Sequence, residues 1–141
     1  MDQVKVTGHL IGNMGFSMVL DGHHTLITDA SEAIGGNDQG PRPKQLLLSG
    51  LIGCTGIDIM SILKTMRITI EDLTIDAITT HTDEHPKVYE NIHLIFKFKG
   101  DESVPIERLK RAVQLSQEKY CGVSAMLAKA TPITYEVILE H

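Results

Sequence analysis

The stretch from Pro43 to Met66 constrains the fold of this chain more than any other. Read as a helix, it carries Leu46, Leu47, Leu48, Leu51, Ile52, Ile57, Ile59, Met60, Ile62 and Leu63, so apolar side chains fall on nearly every side. A helix that is apolar all round is buried all round. Pro43 suits its first turn, where a missing N–H costs nothing. Ser49, Gly53 and Gly56 form a small-residue row along one side, against which another backbone can approach closely. A chain of 141 residues can hardly wrap such a helix alone, so the sequence predicts cover from a second subunit. The longest apolar run, Leu46 to Ile57, has about 12 positions and is broken by Ser49, Gly50, Gly53 and Thr55. A membrane span needs about 20 residues, and none is expected here.

Short strands are expected over residues 3–28, with turns at Gly12-Asn13 and Asp21-Gly22. Residues 31–42 read as a loop rich in Gly, Pro and Asn. Two long strands follow, at 68–80 and 88–99, joined as a hairpin through the polar link THTDEHP. In the second, Ile92, Leu94, Phe96 and Phe98 alternate with Asn91, His93, Ile95 and Lys97. An amphipathic helix is predicted over 105–119, with Ile106, Leu109 and Val113 on one face. A short helix over 121–129 and a last strand with Ile133, Tyr135, Val137 and Leu139 alternating complete the order. This is an α+β pattern with antiparallel sheet, in a single domain spanning 1–141.

Thirteen Lys and Arg stand against eighteen Asp and Glu, a formal charge of −5. An acidic chain with no basic run is a poor partner for nucleic acid, and aromatic residues, at 4%, are too few for base-stacking platforms. The N-terminus MDQVKVTGHL has no signal-peptide core. Two cysteines are too few for a disulfide scaffold. A soluble, cytoplasmic protein is the expectation. In a reducing compartment a cysteine pair is catalytic, metal-bound or inert more often than it is a permanent staple.

Cys54 lies in the middle of the apolar helix, with Gly50 one turn before it leaving room above the sulfur for a small apolar molecule. Free cysteine is commonly a small buried hydrophobe, and that reading stands beside a reactive one. Cys121 falls near a helix start, where unpaired N–H groups and the helix dipole stabilise a thiolate. As a redox pair, one thiolate would attack a peroxide O–O bond to give a sulfenic acid, and the second thiol would condense with it to a disulfide. Such a nucleophile needs positive charge nearby, which the dipole hardly supplies three turns into a helix. Asp58, one turn after Cys54, works against ionisation. The glycines of Gly35 to Pro41 lack a Gly-Lys-Ser/Thr ending and read as a flexible loop. His81 and His85, beside Asp83 and Glu84, are a weak surface metal candidate. His23 and His24 read as solvated.

The segment GPRPKQLLLSGLIGCTGID, Gly40 to Asp58, resembles the central-helix signature of the OsmC/Ohr family, the osmotically inducible and organic hydroperoxide resistance proteins. A Gly-Pro-x-Pro opening leads to a Leu-rich helix start and Gly-Cys in mid-helix. Tyr120-Cys121-Gly122-Val123-Ser124 stands where the family's second cysteine falls, and the resemblance covers essentially the whole chain. It implies an α+β fold forming an intertwined homodimer, with active sites at the subunit interface. Cys54 would be the peroxidatic thiol and Cys121 the resolving thiol. Organic hydroperoxides would be the substrates and a dithiol, such as a lipoyl group, the reductant. No metal or organic cofactor is implied. Peroxidase members hold the thiolate with an Arg paired to a Glu early in the central helix. Here Lys44 and Gln45 occupy the Glu positions and no Arg precedes Arg42. Arg42 and Lys44 are the candidate thiolate-stabilising cations, and Gln45 and Gly50 the candidate pocket residues, which is the pattern of an OsmC-like branch.

Two functions follow. One is a cysteine-based organic hydroperoxide reductase. The other is a non-catalytic protein on the same scaffold that binds a small hydrophobic ligand or senses redox state. A stable domain with two inert thiols is the plainest third reading.

Overall fold

The computed structural model describes residues 3–141. The chain divides into two compact units, Met1–Leu48 and Ser49–His141. In the first, β1 (Thr7–Ile11), β2 (Gly15–Leu20) and β3 (His24–Thr28) form an antiparallel meander in that order. Both connecting turns fall where the sequence places them, and Gly12 and Gly22 take the positive φ angles these turns need. The loop after β3 is held by a buried carboxylate. Asp29 is 2% exposed and accepts backbone N–H bonds from Ala30 (2.7 Å), Asn37 (3.3 Å) and Gln39 (3.1 Å). Burial pushes Asp29 up, but these bonds and Arg42 outweigh it and hold the carboxyl below its ordinary range. The loop is therefore ordered, with one short 3₁₀ turn at Glu32–Ile34.

The long helix α1 spans Gln45–Met66, two residues shorter at its start than the sequence suggests. Leu51, Thr55, Ile59 and Leu63, each four apart, are buried. The rest of the helix is not buried within one chain, because Ile57 is 73% exposed and Met60 49%. The expectation of burial all round therefore fails for the single chain, which has too few residues to enclose the helix. By length and composition alone α1 could cross a membrane, but its buried stripe is that of a core helix.

In the second unit β4 (Asp72–His81) and β5 (Tyr89–Lys99) pair antiparallel, as the hairpin reading requires. Ile92, Leu94, Phe96 and Phe98 all point inward and are almost fully buried. β6 (Ile133–Glu140) then joins β5 in parallel, from Ile92 opposite Ile133 to Lys99 opposite Glu140. The sheet, ordered β4-β5-β6, is thus mixed and not purely antiparallel. The helical segment between β5 and β6 carries the chain back to the starting end of β5, which a parallel partner needs. That segment holds α2 (Ile106–Leu115), a π turn at Ser116–Tyr120 and α3 (Gly122–Leu127). Leu109, Ala112 and Val113 are buried, whereas Ile106 is 37% exposed.

Candidate active site

Cys54 and Asp58 lie one turn apart on α1, so their side chains share a face. Cys121 reaches them from the other end of the unit's sequence by way of the π turn. There the Cys121 N–H bonds back to the Ser116 carbonyl at 2.8 Å, which ends one helix and lets Cys121 cap the next. As the N-cap of α3, Cys121 accepts the Ser124 N–H on its sulfur at 3.3 Å. The two sulfurs and a carboxylate oxygen of Asp58 all lie within 4.8 Å of one another. Both cysteines are free thiols, Cys54 half-buried and Cys121 buried.

A network of uncharged side chains fixes this cluster. The Thr55 hydroxyl donates to the Leu51 carbonyl (2.6 Å) and stands 3.6 Å from Cys121 Sγ. Gln117 Nε2 donates to Thr55 Oγ1 (3.4 Å), and Ser124 Oγ donates to Gln117 Oε1 (3.1 Å). Ser116 Oγ donates to Asp58 Oδ2 at 3.2 Å. Thr55, Ser116, Gln117 and Ser124 carried no signal as site residues in the sequence.

The two thiols differ in acidity. The Val123 backbone N–H pulls Cys54 down, but burial, the hydrogen bond shared with Cys121 and the negative charges of Cys121 and Asp58 together push it above its ordinary value. Burial pushes Cys121 up, yet hydrogen bonding with the Ser124 side chain, the Cys54 thiol, the Ser124 N–H and the Thr55 side chain brings it below its ordinary value. The surroundings thus favour the thiolate form more at Cys121 than at Cys54. The helix-start setting of Cys121 and the opposing influence of Asp58 on Cys54 both act in the direction expected from sequence.

The other candidates lie as follows. In the first unit, Arg42 pairs with Asp38 at 2.9 Å and donates to the Gly40 carbonyl at 3.0 Å. Lys44 belongs to the same unit, and Gln45 Oε1 accepts the Arg42 N–H at 3.0 Å. Gly50 is exposed, and a Cβ built on it would meet no atom within 4 Å, so the space there is open and not walled. A groove of about 420 Å³ does lie beside Asp58, lined also by Ser61, Ile62, Thr65, Leu115 and Tyr120. His81, His85, Asp83 and Glu84 do not converge. Among the described residues the other converging group is Asp21, His23 and His24, fully on the surface.

The sequence model of the family described as "OsmC-like protein" matches residues 35–136, which takes in both cysteines and most of the second unit. The chain belongs to the OsmC-like family. Protein YhfA of Escherichia coli K12 is 34% identical over 117 residues, 82% of this chain and 84% of that protein. The OsmC-like fold recurs in the crystal structure of a hypothetical protein from Aquifex aeolicus VF5, 31% identical, with a TM-score of 0.83 over all of both chains. An organic hydroperoxide resistance protein OsmC from Legionella pneumophila shares the fold at 16% identity, with a TM-score of 0.72 over 98% of each chain. The α+β architecture with mixed and antiparallel sheets and one long helix is thus that of the OsmC and Ohr proteins.

Proposed function

We propose that this OsmC-like protein is a thiol-dependent peroxidase for organic hydroperoxides, with Cys54 attacking and Cys121 resolving. The dithiol carries the reading: two free sulfurs within 4.8 Å, the outer one accessible and the inner one buried. Cys54 gives up its proton to solvent and attacks as the thiolate. The Cys54 sulfur bonds to the terminal peroxide oxygen, the O–O bond breaks, and the departing alkoxide takes a proton from water to leave as the alcohol. Cys54 is now a sulfenic acid. The Cys121 thiol condenses with it, forming the disulfide and releasing water. An external dithiol then reduces the disulfide and becomes oxidised itself.

The same reading takes in a cytoplasmic homodimer. The free thiols suit a reducing compartment. The exposed side of α1 offers Ile57 and Met60 to a second copy, beside a groove lined by Gly53 and Gly56.

Turnover of cumene hydroperoxide with a dithiol reductant tests the enzyme. Cys54→Ser abolishes it, whereas Cys121→Ser still consumes one equivalent and stalls as the sulfenic acid. Wild-type turnover in Cys54→Ser would overturn the reading. The raised Cys54 thiol favours a second reading, a non-catalytic protein that binds a small hydrophobic ligand or senses redox state. Slow alkylation of Cys54 at neutral pH, together with no peroxide consumption, would select it.

A further inference from the structure

We propose that the reduced site also binds a thiophilic divalent cation, such as Zn²⁺ or Cd²⁺, through Cys54, Cys121 and Asp58. The donor set is two soft sulfurs and one carboxylate, and the three donor atoms already lie within 4.8 Å of one another. Zinc bonds to sulfur at about 2.3 Å, which puts two tetrahedral sulfur ligands about 3.8 Å apart. The closure needed between the sulfurs is therefore about 1 Å or less, and the half-buried Cys54 side chain is the one free to make it. Cys54 and Asp58 are spaced i, i+4 on a continuous helix, a spacing that aims two ligands at one point. The outer shell is also in place. Ser116 Oγ holds Asp58 Oδ2 at 3.2 Å, and the Ser124 N–H and Thr55 hydroxyl orient Cys121. Metal sites depend on such outer bonds to aim their ligands.

Charge favours the same conclusion. When ionised, the three groups are all anions, and a bound cation offsets their mutual repulsion. Three protein ligands leave a fourth position for water. Binding displaces the remaining thiol protons to solvent and leaves the sulfurs' oxidation state unchanged. A loaded site would shield both thiols from peroxide, so metal occupancy and disulfide formation exclude each other. The proposal uses the residues of the proposed peroxidase but does not depend on that activity.

Titration of the reduced protein with Cd²⁺, read by sulfur-to-metal charge-transfer absorption, tests it directly. One equivalent per chain is expected, with both cysteines protected from iodoacetamide and competition by Zn²⁺. Cys54→Ser and Cys121→Ser each lose the band. Asp58→Asn weakens binding by at least about tenfold. Where Asp58→Asn does not fold, X-ray absorption of the zinc-loaded wild type replaces it, with two sulfur and two lighter ligands expected. Equal alkylation with and without stoichiometric metal would overturn the proposal. So would undiminished affinity in Asp58→Asn, or a zinc environment without two sulfurs. None of these readouts requires peroxide turnover, so failure of the peroxidase reading and failure of the metal site are distinguishable.

Discussion

Thr55 is fully buried, yet its hydroxyl serves three partners: the Leu51 carbonyl, the Gln117 amide and the Cys121 sulfur. Thr55→Val keeps the shape and removes the hydroxyl, leaving the buried groups around it short of a partner. The expected loss is about 1–3 kcal/mol in urea unfolding of the reduced protein. Asp29 gives a pH-dependent counterpart in the first unit. Its folded carboxyl is more acidic than in the unfolded chain. Its stabilising contribution is therefore complete above the unfolded value, about 3.9, and is lost as pH falls through the lower folded value. Asp29→Asn should be less stable than wild type at pH 7, with a flatter dependence of stability on pH in the acid range, as measured by circular dichroism in an acid titration. The cysteines were legible as candidates because their residue type carries chemistry anywhere. Thr55, Ser116, Gln117 and Ser124 were not, because a hydroxyl or amide on a helix gains a role only from the side its neighbours occupy.

The elements show the same division. Alternation in β5 marked Ile92, Leu94, Phe96 and Phe98 as inward, and all are buried. The parallel pairing of β6 was not readable, since side chains alternate with period two in either direction. Nor was the π turn at Ser116–Tyr120, whose single wide turn hides inside an amphipathic helical pattern. Such turns are frequent at functional sites, and this one brings Ser116 to Asp58 and sets Cys121 at the head of α3. On α1 the buried stripe can be tested against the exposed side. Ile59→Ala, at a fully buried position, should cost about 2–5 kcal/mol in chemical denaturation. A loss below about 0.5 kcal/mol, the usual range for surface positions, would mean that the stripe is not core.

At the scale of the whole molecule, the helix that first marked the sequence remains half-covered by its own chain. The proposed second copy accounts for that exposure. Ile57→Glu, which places a charge where 73% of the residue is exposed in one chain, should shift the protein from dimer to monomer in light scattering while the chain stays folded. An unchanged dimer would place the interface elsewhere. The family and the order of elements were legible because the Gly40–Asp58 segment and the Cys121 segment each carry several constrained residues together. The approach of two sulfurs sixty-seven positions apart depends on the crossover from β5 to β6, which no local pattern encodes. That approach is tested most directly by treating the reduced protein with one equivalent of cumene hydroperoxide and mapping the peptides without reduction. One internal cross-link, Cys54 to Cys121, reversed by a dithiol, is expected. Cysteines that remain open to alkylation, or that overoxidise separately without a cross-link, would contradict it.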